Sequence, residues 1–168
     1  MTNLLTLTPS ALRDAPTLIE SVFPAQKVSF EAQKERKAQA SQTLTALGSF
    51  WKGRKPLILV RAILIGSLLP ATSDPDADLD LFESLLAFDS ESLARRALAN
   101  NTFSPKVLRE MLRIDEPERY FAASGWRRDI GLTEKLELYR AAIATFDSYE
   151  QKAALCKRPE EVDADWLY

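Results

Sequence analysis

The residues of this chain best suited to chemistry are cations, and they are concentrated in one part of the sequence. Between Lys27 and Arg61 there are eight lysines and arginines but only two acids, Glu31 and Glu35. Trp51 lies in the same stretch. Cationic side chains neutralise phosphates and aromatic rings stack on exposed bases, so this composition is typical of nucleic-acid contact.

Two groups of residues make up the predicted nucleic-acid surface. The spacing of the first three lysines places them on one face of a helix, and the basic turn WKGRK follows. The candidate residues are Lys27, Lys34, Lys37, Trp51, Lys52, Arg54 and Lys55, with Arg127 and Arg128 of the smaller patch GWRRDIG. The alternative is that the cations are only solvated and Trp51 is a core anchor. We expect Trp51 to pack inward, and Arg54 and Lys55 to point outward.

The sequence shows little that could catalyse a reaction. It has no histidine, which removes the commonest general base and metal ligand. Cys156 therefore has no histidine partner, and we interpret it as a packing residue or an idle thiol. Glu31 and Glu35 are one helical turn apart among lysines and arginines, which favours a solvated, salt-bridged face over a catalytic pair. With no glycine-rich phosphate loop either, we expect no catalytic residue and no metal in this chain.

An alternating run of aspartates, from Asp74 to Asp80, resembles the start of a calcium-binding loop. The position that requires glycine is Leu79, however, and the position of the closing glutamate is Leu85. We therefore exclude calcium. The carboxylates are better suited to the N-terminus of a helix, where the helix dipole favours negative charge.

The elements that must position these residues are predicted to be helices. Five glycines are few, and β-branched residues are sparse beside alanine and leucine. We predict an all-α fold in a single domain over residues 1–168, an irregular bundle of about seven or eight helices. Its centre should be the apolar segment 57–69, begun by Pro56 and ended by Pro70, and we expect this to be the most buried helix.

Local signals give further boundaries. A helix is predicted from Val28 to about Leu47, and an apolar 4,3 repeat from Leu132 to Phe146 predicts the most regular helix. Residues 125–131 are predicted as a loop. Other helix starts are predicted at Thr17 to Glu20, at Ser104-Pro105 and at Ser148 to Gln151.

Bulk properties bear on location and partners. The apolar run 57–69 is shorter than the roughly 20 residues that span a bilayer, so we expect no membrane association. A single cysteine fits a reducing compartment, and we expect the cytoplasm. The net charge is +5 over residues 1–71 and −7 over residues 72–168, which suggests one basic and one acidic surface.

Three segments, LIESVFP, KVSFEAQKERKA and WKGRKPLILVRAILIGSLLPATSDP, resemble a known family over residues 18 to about 76. It is the N-terminal domain of unknown function that precedes adenine-specific DNA methyltransferases, including members of anti-phage defence clusters. The chain has QASQTLTALGSF where the commoner form is histidine-rich, and Lys55 replaces a second arginine, so a bidentate contact is not expected there. The residues that carry the resemblance are Glu20 with Phe23-Pro24, Ser29, Glu31 and Glu35, Trp51, Arg54, Lys55, Pro56 and Leu57, and Arg61-Ala62.

The resemblance implies an accessory domain that positions DNA or a partner and does not transfer methyl groups. The S-adenosylmethionine loop and the Asn/Asp-Pro-Pro-aromatic motif of such enzymes do not occur here. We expect them in a methyltransferase domain downstream, of which this chain would be the N-terminal fragment. The expected partners are DNA, that downstream domain and other defence proteins, and the expected cofactor, S-adenosylmethionine, belongs to the downstream domain. The alternatives are a protein-interaction domain without nucleic-acid contact and a small stand-alone helical enzyme.

Overall fold

A computed structural model describes residues 16–40, 55–163 and 165. The chain divides into two compact units, Met1–Leu86 and Ala87–Tyr168. Helices dominate the described residues of both, which confirms the all-α prediction. That residues 1–168 form a single domain stays a prediction.

The elements follow one another in a simple order. The first unit contains α1 (Leu18–Ser21), α2 (Ala25–Ala40), α3 (Leu57–Leu68) and α4 (Pro75–Leu85). The second contains α5 (Ser90–Ala99), α6 (Pro105–Met111), β1 (Phe121–Ala122), β2 (Gly125–Trp126), α7 (Leu132–Ala144) and α8 (Tyr149–Ala154), with 3-10 turns at Pro117–Arg119 and Pro159–Glu161.

In the first unit, α1 is tied to the chain that leaves α3. Thr17 donates its N–H to the Glu20 carboxylate at 2.7 Å, which is half of the predicted capping box. The N–H of Leu18 bonds the carbonyl of Leu69 at 3.0 Å, and the N–H of Ala71 bonds the carbonyl of Pro16 at 2.8 Å. Leu18 is completely buried, so this short helix is a fixed part of the core.

Helix α3 packs against α1, α2 and α4 through one narrow face. Its buried residues, Ile58, Ala62 and Gly66, recur every four positions. A Cβ atom on Gly66 would lie 2.9 Å from Cζ of Phe82 and 3.0 Å from Cβ of Ile19, so glycine allows the close approach of these neighbours. The predicted helix is confirmed.

The prediction that 57–69 is the most buried helix is wrong. Leu64 is 56% exposed and Leu68 66%, whereas most residues of α5 are buried. The physical reason is that α3 has neighbours on one side only among the described residues. The apolar sequence of a helix permits burial on every side, but burial also requires neighbouring elements on every side.

The second unit is built on α5 and α7, which pack against each other. From α7, Leu136, Tyr139 and Ile143 are buried, in agreement with the predicted 4,3 repeat, although Leu132 at its start is exposed. Cys156 is buried, with its thiol 3.2 Å from the carbonyl of Leu93, so its interpretation as a packing residue is confirmed.

A buried cation lies within this core. Arg96 of α5 has no exposed surface. Its Nε donates to the carbonyl of Lys157 at 2.8 Å and its Nη1 to that of Ala87 at 2.9 Å. Ala87 adopts a left-handed conformation (φ 59°), which costs a residue other than glycine about 1 kcal/mol. The guanidinium thus hydrogen-bonds the backbone of one residue before α5 in the sequence and of one residue after it.

Asparagine ends α5. Asn101 is left-handed (φ 49°), its N–H bonds the carbonyl of Leu98, and the N–H of Thr102 bonds that of Ala97. This is the Schellman arrangement, in which asparagine is tolerated in place of glycine. The predicted starts of α6 and α8 are also confirmed, since Ser104 and Ser148 accept N–H groups of the following turn.

The prediction of a loop over residues 125–131 is wrong at its first two positions. Gly125 and Trp126 form β2, which pairs antiparallel with β1 so that Trp126 faces Phe121. A two-residue strand has no periodicity in the sequence to reveal it. Its stability comes from the two aromatic rings, which stack at 5.4 Å.

Candidate functional site

The predicted lysine face on α2 is largely engaged within the first unit. The Lys27 ammonium pairs with Glu83 of α4 at 2.5 Å, and that of Lys34 lies 3.5 Å from Glu31. Lys37 is exposed. Two of the three lysines therefore compensate carboxylates of the same unit, which lowers the positive charge offered to a phosphate.

The predicted basic turn lies mostly outside the described residues, which do not include Trp51, Lys52 and Arg54. Lys55 is exposed just before α3, as expected.

The interpretation of Glu31 and Glu35 as a solvated, salt-bridged face is wrong about their exposure, although Glu31 does lie near Lys34. The two glutamates are 1% and 2% exposed. The Glu35 carboxylate accepts the N–H of Leu57 at 2.7 Å, across 22 positions of sequence. It therefore supplies a cap to α3, which is the physical reason for its burial.

The start of α3 requires an acceptor from elsewhere. Pro56 occupies the N-cap position and provides no side-chain acceptor. The first N–H groups of a helix have no partner within it, and a carboxylate there is also favoured by the dipole. Glu35 meets both requirements, so an acid of the resemblance motif SxExxxE joins α2 to α3.

The aspartates that precede and open α4 have the helix-starting role that was predicted. Asp74 accepts the N–H of Ala77 at 3.1 Å as N-cap. Asp78 is buried and binds both the N–H and the hydroxyl of Thr72, at 2.7 and 2.9 Å. These contacts fix the turn between α3 and α4. Within the described residues, no group of three potential metal-ligating side chains is present.

The exposed side of α3 is the most apolar surface described in the first unit. Exposed apolar residues recur along it every three or four positions, as expected for one side of a helix. The only charged residue of α3, Arg61, is half-buried. Within the described residues, no helix has the length and apolarity needed to cross a bilayer. The exposed apolar side chains are Leu57, Val60, Ile63, Leu64 and Leu68. We call these five residues the α3 face.

The second predicted patch is only partly basic. Arg127 pairs with Asp129 at 2.7 Å and lies 3.6 Å from Glu134. Arg128 is exposed. Since two acids lie close to Arg127 and compensate its charge, Arg128 is the more accessible of the two predicted cations.

Beside this patch, aromatic rings and cations alternate in space. The Arg109 guanidinium lies 5.1 Å from the Phe121 ring centre, Phe121 stacks on Trp126, and the Lys135 ammonium lies 5.5 Å from the centre of Trp126. Such cation–π contacts are attractive and hold the rings in place. The arrangement joins α6, the hairpin and α7.

A cleft of 430 Å³ opens next to Trp126. Apolar groups from α5, α6 and α7 form much of its wall, and Lys135 lies at its lining with Asn101 and Ser104. Tyr139 in the wall is buried, which raises the pKa of its hydroxyl, while a hydrogen bond with Phe103 opposes that shift. Of the residues in this cleft, sequence reasoning identified the stretch around Trp126 but not Lys135, which lies at an ordinary position of an amphipathic helix.

Comparison with known proteins identifies one part of the chain. Residues 22–85 match the family described as Protein of unknown function (DUF1156). No curated protein matches the chain, and no solved structure does. The matched segment contains α2, α3 and α4, with Glu35 and Lys27, which join α2 to α3 and to α4, and Asp78, which holds the turn before α4. The second unit lies entirely outside it.

Proposed function

We propose that this chain is a non-catalytic accessory region of an adenine-specific DNA methyltransferase linked to anti-phage defence. In this proposal it positions the catalytic domain of that enzyme. The resemblance of residues 18–76 supports the class of enzyme. The match to a domain of unknown function over much of the same stretch is consistent with it.

The observation that carries the proposed mode of action is the α3 face. Exposed apolar patches of more than a few hundred Å² are rare on monomers and mark interaction sites. The α3 face extends from the first to the last residue of the helix, with the half-buried Arg61 and the exposed Ser67 among its apolar side chains, which suits a second helix or a mostly apolar groove. The described acids around it serve the fold instead: Glu35 caps α3 and Asp78 holds the following turn.

The partner we propose for the α3 face is the S-adenosylmethionine-dependent catalytic domain that the resemblance implies. Calorimetric titration of that domain with this chain tests the contact directly. We expect saturable binding by the natural chain. The double variant Leu64→Ser with Leu68→Ser should bind at least about tenfold more weakly, because the complex would no longer bury two leucine side chains. Val107→Ser, which changes an exposed apolar residue of α6, is the matched control and should bind normally.

Two results would overturn this proposal. One is the absence of binding between the natural chain and the catalytic domain. The other is equal binding by the double variant. A methyl-transfer assay on DNA adds a further test, since we expect no transfer by this chain alone, and measurable transfer would show that the region is catalytic.

A second candidate function, contact with DNA, is favoured by the exposure of Lys37 and Lys55 near the two ends of the gap between α2 and α3. Titration of labelled duplex DNA at two salt concentrations tests it. If these lysines contact phosphates, Lys37→Ala with Lys55→Ala should reduce the slope of log K against log salt by about 2. The matched control is Lys106→Ala in the second unit. An unchanged slope would remove this candidate.

A further inference from the structure

The cleft beside Trp126 has the properties of a small-molecule site, and it lies in the second unit, apart from the α3 face in sequence. Its 430 Å³ falls within the range of roughly 300–1,000 Å³ typical of ligand pockets. The wall combines apolar surface from Leu98, Phe103 and Leu132 with a few polar groups. This mixture is what such pockets use, apolar area for affinity and isolated polar groups for orientation.

The charge available in the cleft is positive. Lys135 is half-buried, and its ammonium has a ring contact with Trp126 but no ion pair with a described carboxylate. Its neighbour Glu134 is directed elsewhere, since it accepts the N–H of Gly131 at 2.8 Å and lies 3.6 Å from Arg127. A partly desolvated cation beside an aromatic ring favours an anionic ligand group.

The walls of the cleft are held in place without a ligand. Trp126 stacks on Phe121 and is anchored by the hairpin pairing. The Tyr139 hydroxyl donates to the carbonyl of Phe103 at 2.9 Å and accepts its N–H at 3.3 Å. Asn101 is fixed by its left-handed cap. Binding would therefore require little ordering of the protein, which favours affinity.

We propose that this cleft binds a planar aromatic ligand that carries a negative charge. The aromatic part contacts the apolar wall at Phe103 and Trp126, and the anionic group pairs with Lys135. Two kinds of molecule share this chemistry, an aromatic carboxylate and a nucleoside monophosphate. The proposal concerns a different surface from the α3 face and stands or falls separately.

Titrations followed by the backbone amide resonances of the protein test the proposal with benzoate, neutral benzamide and adenosine monophosphate. We expect saturable shifts at Asn101, Trp126 and Lys135, and about fivefold tighter binding of benzoate than of benzamide, as one partly solvated ion pair contributes. Whichever of benzoate and adenosine monophosphate binds more tightly identifies the kind of ligand, and either order supports the proposal.

Variants of Lys135 show whether its charge is responsible. Lys135→Met keeps the aliphatic stem and should remove the preference for benzoate over benzamide, whereas Lys135→Arg should retain it. Lys152→Met on α8 is the matched control, and thermal melting verifies that each variant is folded. The proposal is overturned if neither benzoate nor adenosine monophosphate gives saturable shifts in the natural chain, if the shifts lie outside the cleft, or if Lys135→Met keeps the preference.

Discussion

Helices α3 and α5 differ in burial, and the difference is the opposite of what their compositions would suggest. Apart from Arg61, α3 is free of charge, yet much of its apolar surface is exposed. Helix α5 contains a glutamate and two arginines in ten residues, and six of those ten are buried, including Arg96. Each is nevertheless tied to its unit by a buried ion that bonds the backbone, Glu35 at the start of α3 and Arg96 within α5.

The difference shows that hydrophobicity and burial are separate properties of a helix. In α5 the Arg96 side chain is buried where its N–H groups donate to backbone carbonyls, which offsets part of the cost of removing the guanidinium from water. In α3 apolar side chains stay exposed because no described element covers them, and the partner we propose for this surface would cover them. Substitutions in the two helices test this explanation of their burial.

The largest expected effect is on α5. Arg96→Met keeps the length of the side chain but leaves the carbonyls of Ala87 and Lys157 without these bonds, so we expect a loss of about 3–5 kcal/mol in unfolding free energy. Urea unfolding followed by circular dichroism measures it. Arg95→Met, which breaks an ion pair with Glu91, should cost less than about 1 kcal/mol. Equal losses in the two variants would contradict a special role for Arg96.

At the start of α3 we expect a smaller loss. Glu35→Ala should cost about 2 kcal/mol, at the upper end for lost helix caps, because the N–H of Leu57 loses a buried acceptor. Glu35→Gln keeps an acceptor oxygen and should cost about half as much. Amide hydrogen exchange of Leu57 reports the bond itself and should be faster in Glu35→Ala. If that exchange rate does not change, Glu35 is not the cap.

The two sides of α3 should respond differently to one added or removed atom. Gly66→Ala adds a methyl group against Ile19 and Phe82, and we expect a loss of about 1–2 kcal/mol, since crowding exceeds the gain in helix propensity. On the exposed side, Ser67→Ala should change stability by no more than about 0.5 kcal/mol. Thermal melting compares the pair. A stabilising Gly66→Ala would mean that the two neighbours can move apart.

The smallest effect concerns pH and the second unit. A hydrogen bond from Arg140, with further help from Arg95, lowers the pKa of the Glu91 carboxyl, although desolvation opposes it. A lowered pKa contributes stability that is present above the ordinary value of 4.5 and is lost as the pH falls through the folded value. Glu91→Gln should therefore flatten the decrease in stability below about pH 4.5, by no more than about 1 kcal/mol for so exposed a pair. Acid titrations of melting temperature that coincide for both proteins would exclude this contribution.

Much of the helical framework can be predicted from local signals. Ser148, Ser104-Pro105, Asn101 and the repeat through Tyr139 all act within a few residues, where sequence spacing determines geometry. The hairpin at Trp126 was not predictable in this way, because its two strands have two residues each and depend on ring stacking. The exposure of α3 was missed because it depends on what lies beside the helix.

The candidate sites were less predictable, since they depend on contacts between distant residues. The spacing of Glu31 and Glu35 indicated a common helix face but not which side of the helix that face covers. The proline at position 56 was the available signal: a helix that begins without its own cap needs an acceptor from elsewhere. Nothing local distinguishes Lys135 from the other lysines, because its significance comes from Trp126 on the facing hairpin.

The hydrogen bonds that join residues 16–18 to residues 69–71 show that the packed unit begins earlier in the chain than the segment matched by the family. The family match begins at residue 22, yet Leu18 is fully buried and its N–H pairs with Leu69. A polypeptide cut to the matched segment would lack α1, uncover the side of α3 that α1 covers, and leave two backbone pairings of the turn after α3 unmade. The matched sequence segment is thus shorter than the packed unit that contains it, and we expect an excised module to keep these contacts only if it begins before Pro16.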